Sequence, residues 1–98
     1  MSLPVIFSPE ARAELDEAAT WYEEQRPGLG LMLIACVDEA IDRISVRPRL
    51  HPIVHRDLRR SPVRRFPYAV IYRVEAERVV IVAIIHARRD PAAWQRRA

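Results

Sequence analysis

Residues 64–94 read RRFPYAVIYRVEAERVVIVAIIHARRDPAAW, and this stretch decides the fold. Two apolar runs, Tyr68 to Val74 and Val79 to Ile85, are divided by Glu75-Ala76-Glu77-Arg78, and arginine pairs stand just outside both ends. Val, Ile and Tyr fit a pleated, half-buried surface, so the pattern predicts a β-hairpin with a cationic rim. A loop centred on Ala76-Glu77 pairs Glu75 with Arg78, Arg73 with Val80, Ile71 with Val82 and Ala69 with Ile84, and sets Pro67 opposite His86. One face then carries Glu75, Arg73, Arg78 and His86 beside aliphatics. The other carries Val74, Val79, Tyr72, Ile81, Val70, Ala83, Tyr68 and Ile85, and is expected to receive helices. A three-residue loop with a bulge reverses that parity, and neither Gly nor Asn is present to favour a tight primed turn.

Working back toward the N-terminus, Leu3 to Phe7 is a short apolar run that reads as a first strand. Ser8 is a natural N-cap, Pro9 suits the first helical position where its missing N–H costs nothing, and Glu10 and Glu14 place negative charge near the helix start. The predicted helix runs from about Pro9 to Arg26. Ala11, Leu15, Ala18 and Tyr22 form its apolar stripe, widened by Ala19 and Trp21, while Arg12, Asp16, Glu17, Glu23 and Glu24 lie away from it. Pro27-Gly28 breaks this helix, and a second begins near Gly30, carries Ile34, Val37, Ile41 and Ile44 at spacings of three and four, and stops before Pro48. The short connection makes the pair an antiparallel α-hairpin. Leu31, Met32 and Leu33 are either buried or a greasy patch that another chain covers.

Pro48, Pro52, Pro62 and Pro67 punctuate the segment between helices and hairpin, where a loop and then a strand around Leu58 to Phe66 are expected. Pro62 cannot donate to a ladder, which argues for an edge or a bulge. After Arg89, Asp90-Pro91 repeats the cap-then-proline signal and opens a short helix or turn holding Trp94. The fold class is therefore α+β: an N-terminal strand, a long α-helical hairpin, then a three-stranded antiparallel sheet segment packed on the helices, all in one domain spanning 1–98.

Half of the 98 residues are hydrophobic, so the chain has a core, and no run approaches the roughly 20 apolar residues of a membrane helix. Met1-Ser2-Leu3-Pro4 lacks a signal peptide's basic start, so the cytoplasm is the expected location and no membrane contact is expected. Cys36, the one cysteine, sits in an apolar run and reads as a buried thiol. Residues 1–50 carry nine acids and five arginines, whereas 51–98 carry four acids and eleven arginines. The chain is thus a dipole whose basic side suits nucleic acid or an acidic protein segment. All sixteen basic residues are arginine, which codon bias explains as well as function does; the surface is one of flat, permanently charged, multidentate donors.

Chemistry-bearing motifs are few. A glycine-rich phosphate loop, a cysteine pair and a visible Ser-His-Asp set are all absent, so neither a cofactor nor a metal is expected. His51 and His55 stand four apart, but Pro52 between them disfavours the helix a metal pair needs. His86 ends the most apolar strand beside Arg88 and Arg89, and an imidazole with a reference pKa of about 6.5 is suited to proton transfer next to phosphate-binding guanidiniums. The bland alternative is a histidine bonded to backbone at the sheet's end. Five arginines between Arg56 and Arg65, with Arg73, Arg88 and Arg89 brought near through the hairpin, point to a shared basic surface. Phe66 is the one aromatic there that a nucleobase could stack on.

The basic-Phe-Pro-Tyr entry to one strand (RRFPYAVIYRV) and the His-x-x-Arg-Asp-Pro exit from the next (VVIVAIIHARRDPAAW), together with the order of elements, resemble the RelE/ParE superfamily of type II toxin-antitoxin toxins, often labelled plasmid stabilisation proteins. The resemblance spans nearly the whole chain. It implies a growth inhibitor held silent by a cognate antitoxin, commonly a DNA-binding dimer whose acidic, amphipathic C-terminal segment wraps the toxin; contacts are expected at Leu31, Met32, Leu58, Arg60 and Arg65. RelE-like members cleave mRNA on the ribosome, and ParE-like members inhibit DNA gyrase without a catalytic set. The long helical hairpin, the lack of lysine and the lack of any tyrosine after Tyr72 favour the ParE branch. Gyrase would then meet Arg59, Arg60, Arg64, Arg65, Arg73, His86, Arg88 and Arg89. The alternatives are a ribosome-dependent endoribonuclease using Arg73, His86 and Arg88, and a non-toxic module that only binds antitoxin.

Overall fold

The N-terminal signals act as written. In the computed structural model, which describes residues 2–98, β1 (Val5–Phe7) ends at Ser8, whose extended backbone turns the chain into α1 (Pro9–Gln25). Ser8 Oγ accepts the Ala11 N–H at 3.1 Å, satisfying one of the orphan donors of the first turn. Gly28 then takes φ +90°, a left-handed conformation glycine adopts without strain, and α2 (Leu29–Val46) follows. No side chain caps α2 at Gly28; instead the Glu23 carboxylate accepts the N–H groups of Gly28 (2.9 Å) and Gly30 (3.0 Å). A carboxylate at a helix N-terminus is favourable, so the last turn of α1 closes the first turn of α2.

One sheet of five strands completes the domain, in the order β1-β5-β4-β3-β2. Beyond the expected strands β3 (Leu58–Pro62), β4 (Tyr68–Val74) and β5 (Val79–His86), it includes β2 (Ile53–His55), three residues that pair with β3 alone. β3 stops at Pro62 rather than Phe66, since the chain turns back there, with Arg65 at φ +70° and the Val63 N–H donating to the Tyr68 carbonyl. β1 lies parallel to β5, the helical hairpin carries the chain from β1 to β2 at the opposite edge of the sheet, and the remaining neighbours are antiparallel. A final short helix, α3 (Ala92–Gln95), holds Trp94. None of the described helices is long and apolar enough to cross a membrane.

The hairpin register follows the expectation from its turn up to Ile81 and then departs from it. Arg73 faces Val80 and Tyr72 faces Ile81, but Ile71 faces Ala83, Ala69 faces Ile85 and Tyr68 faces His86. Val82 is the extra residue of a β-bulge, and every residue after it has changed sides. Ile84 rather than Ala83 or Ile85 therefore meets the helices, in a core with Leu15, Leu33, Val37, Ile44, Val70, Tyr72 and Ile81. Ala83 and Ile85 join Leu58, Ile71, Val80, Val82 and Trp94 in a second cluster on the opposite face. Leu58, expected to touch a partner, is fully buried in that cluster. Trp21 corrects another expectation: it is 55% exposed, because the stripe that packs is Ala11, Leu15, Ala18 and Ala19. Leu31 and Met32 lie open at the start of α2, whereas Leu33 and Cys36 are buried.

Small residues set how closely the helices approach. A Cβ at Gly30 would lie 2.5 Å from the Ala19 carbonyl oxygen, backbone that cannot swing aside. Gly30→Ala is expected to wedge the hairpin open and to destabilise the fold by about 1–3 kcal/mol, the usual cost of overpacking, read as a lowered urea midpoint.

Candidate functional site

Strand alternation sorts the arginines before any ligand is considered. Arg59 pairs with Tyr72 and points to the helix side, where one of its nitrogens donates to the carbonyls of His51 (2.7 Å) and Arg49 (3.1 Å). Arg60 pairs with Ile71 and Arg73 with Leu58, so both lie on the opposite face. Arg73 is tied into a surface cluster there: the Glu75 carboxylate accepts from Arg78 Nε at 2.6 Å and from Arg73 Nε at 3.5 Å. Those bonds, that from Arg78 foremost, hold the Glu75 carboxyl below its ordinary range. Arg64 reaches over to Glu39 on α2 at 3.1 Å. Arg65, Arg88 and Arg89 occupy two neighbouring turns at the far end of the sheet, joined by the Ala87 N–H donating to the Pro67 carbonyl at 2.8 Å. The seven arginine candidates thus fall into four places rather than one surface.

His86 is the largest departure. Past the bulge it faces the helices with Tyr68, ring centroids 5.4 Å apart, while Arg73 is on the other face. Val80, the partner of Arg73, and His86 are six residues apart along β5. At roughly 3.3 Å per residue the two side chains are rooted about 20 Å apart and on opposite sides. Arg73, His86 and Arg88 do not converge on one phosphate. His86 Nδ1 accepts the Arg88 backbone N–H at 3.0 Å, which leaves Nε2 as the free ring nitrogen.

What the bulge brings His86 to is a cleft of about 410 Å3 between α1 and the end of β5, with Glu17, Trp21, Tyr22, Tyr68 and Arg89 in its walls. The rings meet edge to face, Trp21 to Tyr22 and Tyr22 to Phe66 at 5.0 Å and Tyr22 to Tyr68 at 6.2 Å. Burial, with smaller contributions from Tyr22 and Glu17, raises the Tyr68 hydroxyl above its ordinary pKa, so it stays a neutral phenol. Glu14, in the cleft's inner wall, is fully occupied: both its oxygens accept from Arg97, at 3.0 and 3.1 Å, and one also accepts the Ile84 N–H at 3.1 Å. The arrangement can hold a flat or aromatic side chain. Sequence reading missed Glu17, Trp21 and Tyr22 as its walls, and the available signal was Trp21 at the edge of its helical stripe.

The other two histidines also part company. His55 pairs with Leu58 and meets Trp94 on the second face at 6.3 Å, while His51 lies on the helix side against Tyr72. Among the described residues no cluster of three His, Cys, Asp or Glu groups is placed to hold a metal ion. The Tyr72 hydroxyl gives its proton to the Pro48 carbonyl at 2.7 Å, so at 3.4 Å from His51 Nδ1 it acts as acceptor. His51 Nε2 then accepts from the buried Ser61 hydroxyl at 3.2 Å. This arrangement uses neutral imidazole, and burial, aided by Arg43 and Arg59, holds the His51 pKa below its ordinary value of 6.5. In the window below about 6.5 the unfolded chain binds a proton that the folded chain refuses, so stability falls as the pH drops through that window. Urea midpoints at pH 7.5 and 5.5 should show that loss, and His51→Gln, which cannot titrate, should shrink it.

The fold has known counterparts. A family model described as "ParE toxin of type II toxin-antitoxin system, parDE" matches residues 5–91. A chain of the chromosomal ParDE toxin-antitoxin system from P. aeruginosa is similar in structure, with a TM-score of 0.77 and 18% identity over 87% of this chain and 96% of that one. A chain of the RelBE2 toxin-antitoxin complex from Mycobacterium tuberculosis superposes with a TM-score of 0.61 and 25% identity, covering 88% of this chain and 99% of that one. No curated protein sequence matches the chain. With the family match running from the first residue of β1 to the residue before α3, the chain belongs to the ParE toxin family of type II toxin-antitoxin systems.

Proposed function

We propose that this toxin stops growth by acting on DNA gyrase, without cutting RNA, and that a cognate antitoxin in the cytoplasm silences it. The observation that carries the reading is the separation of Arg73 from His86. Cleaving a phosphodiester requires a phosphate-binding cation and a proton-transferring group within hydrogen-bond reach of the same phosphate, about 3 Å from each. Two groups on opposite faces and about 20 Å apart cannot share one. A protein that works by binding a large partner needs no such convergence. Its contacts are assigned to Arg60 and Arg73 on the open face and to Arg65, Arg88 and Arg89 at the sheet's end. Arg59 contributes less, its guanidinium being engaged by the His51 and Arg49 carbonyls.

The antitoxin reading is supported by the ParE family match and by the likeness to RelBE2, which is a toxin-antitoxin complex. Leu31 and Met32, exposed at the start of α2, together with Arg60 and Arg65, are the contacts we assign to it. Leu58 is withdrawn from that set because it has no surface to offer.

A ribonuclease reading keeps one specific support: His86, Tyr68 and Arg89 share a cleft. The two are separated by assaying one preparation twice. Purified toxin is expected to abolish gyrase supercoiling or trap cleaved DNA, with Arg60→Ala/Arg73→Ala weakening inhibition at least tenfold and His86→Ala leaving it within twofold. Normal supercoiling at saturating toxin, with codon-positioned mRNA cleavage in a translation extract that disappears in His86→Ala, would replace gyrase with the ribosome.

A further inference from the structure

The loop after α2 is fastened down with unusual thoroughness for a segment that has so many prolines. The Leu50 N–H donates to the Arg47 carbonyl at 3.2 Å, Tyr72 donates to the Pro48 carbonyl, and Arg59 donates to the carbonyls of Arg49 and His51. All of this holds the backbone, yet the aliphatic side chains are left outside: Leu50 is 67% exposed and Val46, at the end of α2, is 60% exposed. Between them lies a cleft of about 450 Å3, lined by Asp42, Arg43, Val46, Arg47, Leu50 and His51, with a mainly apolar surface. Ile53 of the edge strand β2 is also more than half exposed, and its pairing with Arg59 puts it on this same side of the sheet. An apolar cleft on a backbone already fixed in place loses little entropy when it is filled.

Charge selects the occupant. Arg47, in the lining, and Arg49, next to Leu50 in the chain, have side chains that make no hydrogen bond or ion pair among the described residues, and Arg43 shares the exposed Glu39 with Arg64. Only Asp42 opposes them in the lining. A second copy of this chain seated here across a twofold axis would set Arg47 and Arg49 against their own equivalents, which disfavours self-association. We propose that this cleft is a docking seat for an acidic, amphipathic segment of the antitoxin, whose aliphatic side chains cover Val46, Leu50 and Ile53 while its carboxylates meet Arg47 and Arg49. The proposal rests on the antitoxin reading above and adds a seat to it: Leu31 and Met32 lie in the first turn of α2 and Val46 ends it, roughly 22 Å away at 1.5 Å per residue.

The test measures affinity between the toxin and the full-length antitoxin encoded beside it, by calorimetry, with no gyrase present. Leu50→Asp and Arg47→Glu should each weaken binding at least tenfold, and Arg26→Glu, a charge reversal at the other end of the helical hairpin, should change it less than twofold. Val46, Leu50, Arg47 and Arg26 are exposed, and thermal melts of the variants should match the parent, so that lost affinity is lost contact. Unchanged affinity in Leu50→Asp and Arg47→Glu overturns the seat while the antitoxin reading stands. A parent toxin that fails to bind the antitoxin overturns that reading, and the seat with it. A toxin dimer that Leu50→Asp dissociates, with antitoxin affinity unchanged, assigns the cleft to a second copy and likewise overturns the proposal.

Discussion

Everything at the centre of this fold depends on how one extra residue, Val82, is accommodated. β1 pairs with β5 only as far as Ile81, and beyond it the outer edge of β5 carries backbone groups that no strand reaches. An unpaired N–H or carbonyl in that half-buried position costs about 1–3 kcal/mol. The chain fills the gap with side chains drawn from both termini. The Val82 carbonyl accepts from Ser8 Oγ at 3.3 Å and from Arg97 at 3.1 Å, and the Ile84 N–H donates to Glu14. Glu14 and Arg97 pair through two oxygens and two nitrogens, with their side chains 13% and 20% exposed. A two-pronged pair at that depth is stronger than the exposed pairs elsewhere, and it binds the first helix, the last strand and the C-terminal residues into one unit.

The bulge also decides which chemistry the site can present. Without it, His86 would stand on the same face as Arg73 and Arg78, still about 20 Å along the strand from Arg73. With it, His86 turns under α1 into a cleft walled by aromatic rings, and the face that carries Arg60 and Arg73 is left without it. One inserted residue thus puts His86 on the side of Arg89 and Tyr68 and away from the face of Arg73. The binding mechanism proposed above rests on the distance between His86 and Arg73, not on the overall resemblance of the fold.

The local punctuation of this structure was readable before any coordinates. Ser8-Pro9 and Pro27-Gly28 mark helix boundaries to within a residue or two, because capping and φ restrictions act through neighbours in sequence. The bulge was not readable, and the reason lies in β5 itself. Val79 to Ile85 is buried throughout, covered by helices on one face and by the Trp94 cluster on the other, so the run has no polar residue to reveal which side each position faces. Alternation is the only record of parity that a strand keeps, and a doubly covered strand erases it. The same cover explains Leu58, expected to touch the antitoxin but buried in the second cluster. β2 escaped notice for a different reason: three residues between Pro52 and Arg56, at φ +51°, hold a strand shape only because β3 pairs with them.

The charge asymmetry needs a similar refinement. Carboxylates of the acidic half reach arginines of the basic half, Glu14 to Arg97 and Glu39 to Arg64, so the folded chain is less of a dipole than its sequence. These pairs are not equivalent. Glu39 divides its oxygen between Arg43 and Arg64 on an open surface, where an ion pair is worth about 0–1 kcal/mol and an incoming carboxylate can compete for either guanidinium. Glu14 cannot release Arg97 without orphaning the Ile84 N–H and the edge of β5. Among the described residues, arginines whose side chains make no ion pair or hydrogen bond include Arg47 and Arg49 after α2, Arg60 on the second face, and Arg65 and Arg88 at the sheet's end. Where the chain has spent an arginine on its own backbone it has fixed a surface, and where it has left one free it has kept a contact for another molecule.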